Sequence, residues 1–193
     1  MRSRIHPAWL AAGTLGAFAA GALLWQKSGA FAGGPRGNRR VPQPALPVDL
    51  DRYVGRWFEF ARYENRFERG GEAVIAEYAQ RDDGLVDVLN LCRVGSTNGP
   101  IRVAKGRAKV VEGSGNAKLK VSFFGPFYVG HYWVLDHADD YAWSIVGEPS
   151  GRFLWILTRE PEPGRDAAAA LVARVRKLGY DTSMLRFTAQ HHA

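Results

Sequence analysis

The strongest constraint on the fold of this chain is a rhythm. Between Arg56 and Arg159, eight runs of strand-forming residues alternate with turn chemistry: 56–63, 72–80, 85–94, 102–111, 118–124, 128–136, 141–148 and 152–159. Asp82-Asp83-Gly84, Ser96 to Pro100, Gly113 to Asn116, Gly125-Pro126, Asp139-Asp140 and Pro149-Ser150-Gly151 separate them, residues suited to tight reversals. Short β-runs joined by hairpin turns imply consecutive antiparallel strands. Eight such strands can close on themselves, which removes exposed edges and leaves room for one small ligand. The expected fold is all-β, an eight-stranded antiparallel up-and-down β-barrel.

Two elements follow. Between Pro163 and Gly179, the residues Ala168, Leu171, Val172, Val175 and Leu178 recur at helical spacing, while Arg165, Arg174, Arg176 and Lys177 can reach water. This predicts one C-terminal α-helix packed outside the barrel. Met184 to Gln190 returns to a period of two and predicts a short ninth strand.

The other end has a different character. Residues 1–9 are basic and Leu10 to Trp25 is uncharged, the order of an export signal. The apolar run of sixteen residues is long for a signal core. It falls short of the roughly twenty that span hydrocarbon comfortably. Cleavage after Ala32 and retention of residues 8–26 as a membrane anchor both stay open. Residues 33–48, rich in Gly, Pro and Arg, predict an extended tether. The expected organisation is thus 1–32 export signal or anchor, 33–48 tether and 49–193 barrel. The protein is expected to be exported, to the periplasm or cell envelope, and to meet the membrane surface through its N-terminal segment.

The formal charge of +7 suggests nucleic acid until it is located. Six basic and no acidic residues lie in 1–48, which leaves 20 Lys and Arg against 19 Asp and Glu in 49–193. A nearly neutral body lacks the concentrated cations that displace phosphate counterions, so no nucleic-acid partner is expected. Cys92 is the sole cysteine, which excludes an internal disulfide. No cysteine stands directly after the apolar run to carry a lipid, so a Cys-lipidated lipoprotein is not expected. The five histidines lack ligand spacing, and neither a metal nor a cofactor is expected.

Four motifs carry a resemblance. Gly55-Arg56-Trp57 opens the first strand and Leu154 to Arg159 closes the last. Asn65-Arg66-Phe67-Glu68-Arg69-Gly70 and Val121 to Phe127 lie between them in matching order. The chain resembles the lipocalins, in particular the bacterial outer-membrane members close to apolipoprotein D, over about residues 47–190. The resemblance implies that Gly55, Trp57 and Arg159 are structural, an indole closing the barrel floor beneath a guanidinium. It also implies binding and transport or storage of small hydrophobic or amphiphilic ligands such as fatty acids and lysophospholipids.

Alternation assigns the lumen. Setting Trp57 inward brings Glu59, Ala61 and Tyr63 with it. On later strands the parity without Lys and Arg gives Val74, Ala76, Tyr78, Val88, Asn90, Ala108, Val121, Phe123, Tyr132 and Trp143. Glu59 is unusual, since a carboxylate facing apolar surface costs several kcal/mol unless paired. Its partner is either a ligand amine or hydroxyl, or an arginine or water. Two other functions stay open beside the carrier. One is an enzyme acting on a lipid or peroxide through Cys92, which shares the lumen parity; the other is a barrel used only as an interaction scaffold. A buried lone cysteine more often packs as a small hydrophobe, so the chain is read as a non-enzyme without catalytic residues.

Overall fold

Each β-rich run becomes a strand, and the hairpin turns set the order of pairing. The computed structural model describes residues 38–190. Within them the strands are β1 (Gly55–Tyr63), β2 (Gly71–Gln80), β3 (Val86–Val94), β4 (Ile101–Val110), β5 (Lys118–Ser122), β6 (Gly130–His137), β7 (Trp143–Gly147) and β8 (Leu154–Thr158). Neighbours pair antiparallel throughout, and β1 pairs with both β2 and β8, which closes the barrel. A short β9 (Leu185–Phe187) takes the far half of β1, from Ala61 to Tyr63, where β2 has diverged from it.

Up-and-down order collects alternate connections at opposite ends. Loops 81–85, 111–117 and 138–142 lie at one end, which a one-turn helix, α1 (Leu50–Tyr53), closes. Asp49 caps α1 by accepting from the amides of Asp51 and Arg52, and the amide of Asp49 donates to the Tyr141 hydroxyl at 2.8 Å. Loops 64–70, 95–100, 123–129 and 148–153 surround the open end. Outside the wall, α2 (Arg165–Lys177) buries Leu171 and Val175 against Leu135, Ile145, Leu154 and Ile156.

One departure from strict alternation, on β1, and one reversed phase, on β7, correct the lumen assignment. Pairing of β1 with β8 slips between Glu59 and Ala61, a β-bulge. An extra residue reverses the facing of everything after it. Trp57 and Glu59 point inward as expected, but Ala61 and Tyr63 turn outward into the cluster under α2. Arg62 points inward in their place and bonds Glu59. Trp143 is likewise outside, with the Arg174 guanidinium 4.6 Å from its ring. Ser144 and Val146 are its inward neighbours, reaching Tyr53 and packing around Trp57. On β7 both faces are buried, one by the lumen and one by α2, so polarity along the strand carries no sign of which face is which.

The predicted export or anchor segment, 1–32, lies outside the described residues. After a turn at Arg39 and Arg40 the chain is extended, and it is tied to the barrel. The Asn38 amide donates to Gly151 O at 2.9 Å and its side chain to Leu178 O at 2.8 Å, while the Val48 amide donates to Gly115 O at 2.8 Å. Residues 38–48 therefore run from the open end to the closed end.

Candidate functional site

The barrel encloses a cavity of ≈ 670 Å³, inside the range of about 300–1,000 Å³ that holds small ligands. Its floor is built first. Trp57, fully buried, donates from Nε1 to Tyr53 O at 2.8 Å. The Arg159 guanidinium lies 3.7 Å from the indole centroid and donates to the carbonyls of Arg56, Arg52, Tyr53, Val54 and Tyr141 at 2.6–3.3 Å. No carboxylate is among these partners; the cation is held by carbonyl dipoles and a ring face. Gly55 supplies the φ of +96° with which β1 begins beside Arg159, a conformation that side chains with a Cβ rarely adopt. Above the indole, Tyr53 shares hydrogen bonds with Tyr132 at 2.8 Å and Ser144 at 3.0 Å. Burial pushes the Tyr53 hydroxyl up to about 12, so it stays a neutral donor.

Of the side chains assigned to the lumen by alternation, Glu59, Val74, Ala76, Tyr78, Val88, Asn90, Ala108, Val121, Phe123 and Tyr132 line the cavity. Ala61, Tyr63 and Trp143 do not, for the reasons above. Alternation also missed contributors that lie outside regular strands or across the bulge. Asn65, Phe67 and Glu68 enter from loop 64–70, Tyr53 from α1 and Phe124 and Phe127 from loop 123–129. One signal was available: an Asn three residues before a Glu favours an Asx turn. Asn65 Oδ1 indeed accepts from the amides of Phe67 and Glu68, and its Nδ2 holds Glu68 Oε2 at 2.6 Å. That loop turns Glu68 back into the barrel, where Trp155 Nε1 donates to it at 2.8 Å.

The cavity wall is therefore asymmetric. Strands β3 to β5 supply Val86, Val88, Ala108, Leu119 and Val121, whereas the β1 side carries a polar cluster. Arg62, fully buried, donates from Nη1 to Glu59 Oε1 at 2.6 Å and to the Thr188 hydroxyl at 3.1 Å, and from Nη2 to the carbonyls of Glu68 and Gly71. The Thr188 hydroxyl also donates to Glu59 Oε1. An arginine is thus the partner of the carboxylate. Cys92 lines the cavity across the register from Arg102, and burial raises its thiol above the ordinary range, which keeps it protonated. Among the described residues no group of three or more His, Cys, Asp or Glu could hold a metal ion.

Burial, and next the neighbouring Glu68 carboxylate, push the Glu59 carboxyl up to about 7 against the pull of Arg62. In an unfolded chain a glutamate titrates near ~4.3. Between these values the folded protein keeps a proton that the unfolded chain has released, so stability falls as pH rises from the lower to the upper. The urea midpoint is expected to be higher at about pH 5 than at about pH 8, and Glu59→Gln to flatten that difference. Equal slopes in the two proteins would place the titration on another group.

Comparison with known proteins agrees with this architecture. The model of the lipocalin-like domain matches residues 48–190. The outer membrane lipoprotein Blc of Vibrio cholerae is 38% identical over 154 residues, 78% of this chain and 89% of the relative. Apolipoprotein D of Mus musculus is 34% identical over 132 residues, 63% of this chain and 67% of the relative. Among solved structures, insecticyanin of the tobacco hornworm Manduca sexta superposes with a TM-score of 0.62 at 22% identity, covering 78% of this chain and 85% of its own. Because the family model spans every strand of the barrel, and relatives more than a third identical align over most of their length, the chain belongs to the lipocalin family.

Proposed function

We propose that this lipocalin carries or stores a single-chain amphiphile, a fatty acid or lysophospholipid, in the cell envelope. The observation that carries the reading is the asymmetric cavity: an apolar wall long enough for an acyl chain, with the polar groups gathered mainly on the β1 side and at the mouth. The tail packs among Val86, Val88, Ala108 and Val121 above the tyrosine floor. The polar end lies toward Asn65, Glu68, Arg102 and His131. Relatives named outer membrane lipoproteins support an envelope location. In this chain the sole cysteine lies in β3, so the membrane connection is assigned to the N-terminal apolar segment and not to a lipidated cysteine.

A protonated Cys92 with no histidine paired to it favours carriage over turnover. Low-micromolar affinity requires about −8 kcal/mol, which a dozen methylenes at ~0.8 kcal/mol each supply after association costs. Displacement of a lumenal fluorophore by fatty acids and lysolipids is the test. Ala108→Trp, which fills the cavity from β4, is expected to weaken binding at least about tenfold while the fold survives. Failure of every acyl compound to displace the probe overturns the reading.

A further inference from the structure

We infer that the open end of the barrel docks on an anionic bilayer, mouth toward the lipid, with the outer face of β4 turned to the headgroups. Four independent features support that orientation.

The first is exposed apolar surface. Phe127 is 72% exposed in loop 123–129, and Ile101 and Val103 are 42% and 36% exposed where β4 leaves loop 95–100. Along β4 the outward side chains then change character: Lys105, Arg107 and Lys109 are exposed while Ala104 and Ala108 line the cavity. At about 3.3 Å per residue, the first cation lies ~7 Å beyond Val103 along the strand. An apolar tip with cations one step behind it matches the order of acyl chains and phosphates in a leaflet.

The second is charge placement. Strands β4 and β5 carry Lys and Arg but no acidic residue. Toward the closed end of β4, Lys109 stands opposite Lys120; its Nζ lies 4.9 Å from the Tyr128 ring centroid, and Lys120 Nζ lies 2.8 Å from His131 Nε2. Asp87 faces Arg107 from β3, but it also accepts from Arg81.

The third is the opposite end. Loops 81–85, 111–117 and 138–142 hold Asp82, Asp83, Glu112, Asp139 and Asp140 against a single Arg81. Loops 64–70, 95–100, 123–129 and 148–153 hold as many basic as acidic residues. An anionic surface repels the closed end and selects the mouth.

The fourth is the path of the chain. Asn38 is bonded to Gly151 at the open end. Only residues 26–37 separate it from the apolar run, a reach of at most ~43 Å. The covalent connection alone therefore keeps the mouth near whichever membrane holds that run. An amphiphile could then pass between leaflet and lumen without crossing water. The docking builds on the carrier reading of the cavity, but its test is separate.

Full-length protein is reconstituted into phosphatidylcholine vesicles with and without phosphatidylglycerol. A fluorophore is placed at Ile101→Cys, or at Glu112→Cys on the closed end, each in a Cys92→Ala background, and quenched by nitroxides on the lipid acyl chains. Quenching at 101 but not at 112, present with phosphatidylglycerol and lost at high salt, is the expected result. The triple change Lys105→Gln, Arg107→Gln, Lys109→Gln is expected to lower the docked-to-free ratio about a hundredfold, at roughly fivefold per basic group near an anionic surface. The same triple change, with Cys92 intact, should leave lumenal fluorophore binding unchanged. Absence of quenching at 101, or equal quenching at 101 and 112, overturns the docking and leaves the surface to an acidic protein partner. Quenching at 101 in a protein whose lumen binds no acyl compound supports the docking and removes the carrier reading alone.

Discussion

Arg62→Ala is expected to cost about 3–5 kcal/mol of folding stability, the effect of breaking a buried ion pair from one side. Arg62 is fully buried, and its guanidinium ties together β1, loop 64–70, the start of β2 and the segment after β9. Without it, Glu59 keeps only the Thr188 hydroxyl on Oε1, and the carbonyls of Glu68 and Gly71 each lose a donor. Glu59 answers by taking up a proton, which limits the loss at low pH and makes it larger at high pH. Removing both charges with Arg62→Met and Glu59→Leu is expected to restore the part of the loss that comes from the unpaired carboxylate, because two apolar side chains of similar bulk carry no charge to desolvate, while the carbonyls of Glu68 and Gly71 still lack the Arg62 donor. Urea unfolding of the three proteins at two pH values measures this. A single-variant loss under about 1 kcal/mol, the size of an exposed pair, would show that water reaches the cluster.

Trp57→Ala is expected to destabilise by a similar amount, about 3–5 kcal/mol, for a different reason. The indole has no exposed surface, and it is the plug on which Tyr53, Val134, Val146 and Leu157 pack. Its removal opens a cavity at the floor that stiff strands cannot collapse to fill. It also takes away the ring beneath Arg159. Arg159→Ala is expected to cost less, since its carbonyl partners are partly wet and can turn to water. Arg159→Lys should not restore the lost stability, because an ammonium cannot present a planar fork to five carbonyls. Variants that keep the melting temperature of the native protein but lose ligand would make this end part of the binding site instead of its closure.

The two clusters differ in how visible they were. Trp57 and Arg159 could be paired from sequence because the motif positions at the two ends of the barrel resemble a known family. Glu59 could be flagged because a carboxylate stood at an inward parity. Its partner could not: Arg62 is three residues away and has outward parity on a regular strand. Only the bulge between Glu59 and Ala61 turns it inward. A bulge is chosen by the whole barrel, which must bend β1 to pair with β8 on one edge and with β2 and then β9 on the other. No single residue in FEFAR encodes it.

Elsewhere alternation served wherever one face of a strand met water. On β4, exposed Lys105, Arg107 and Lys109 alternate with Ala104, Gly106 and Ala108, so polarity alone assigned Ala108 to the lumen. On β7 it failed at Trp143, because α2 buries the outer face and both parities became apolar. Loop residues were beyond its reach altogether; Glu68 and Phe67 face the cavity because Asn65 folds their loop back over the mouth.

The sequence by itself determined the strand count, the turns, the helix and the closed antiparallel order, because these follow from local propensity and from the two periods of the backbone. The tertiary structure alone decided which side of β1 and β7 faces the lumen, that Arg62 neutralises Glu59, and that residues 38–48 run along the barrel from Asn38 at the open end to Val48 at the closed end. Those outcomes depend on barrel closure and on helix docking, long-range events in which the strain of one strand is settled by contacts with residues a hundred positions away.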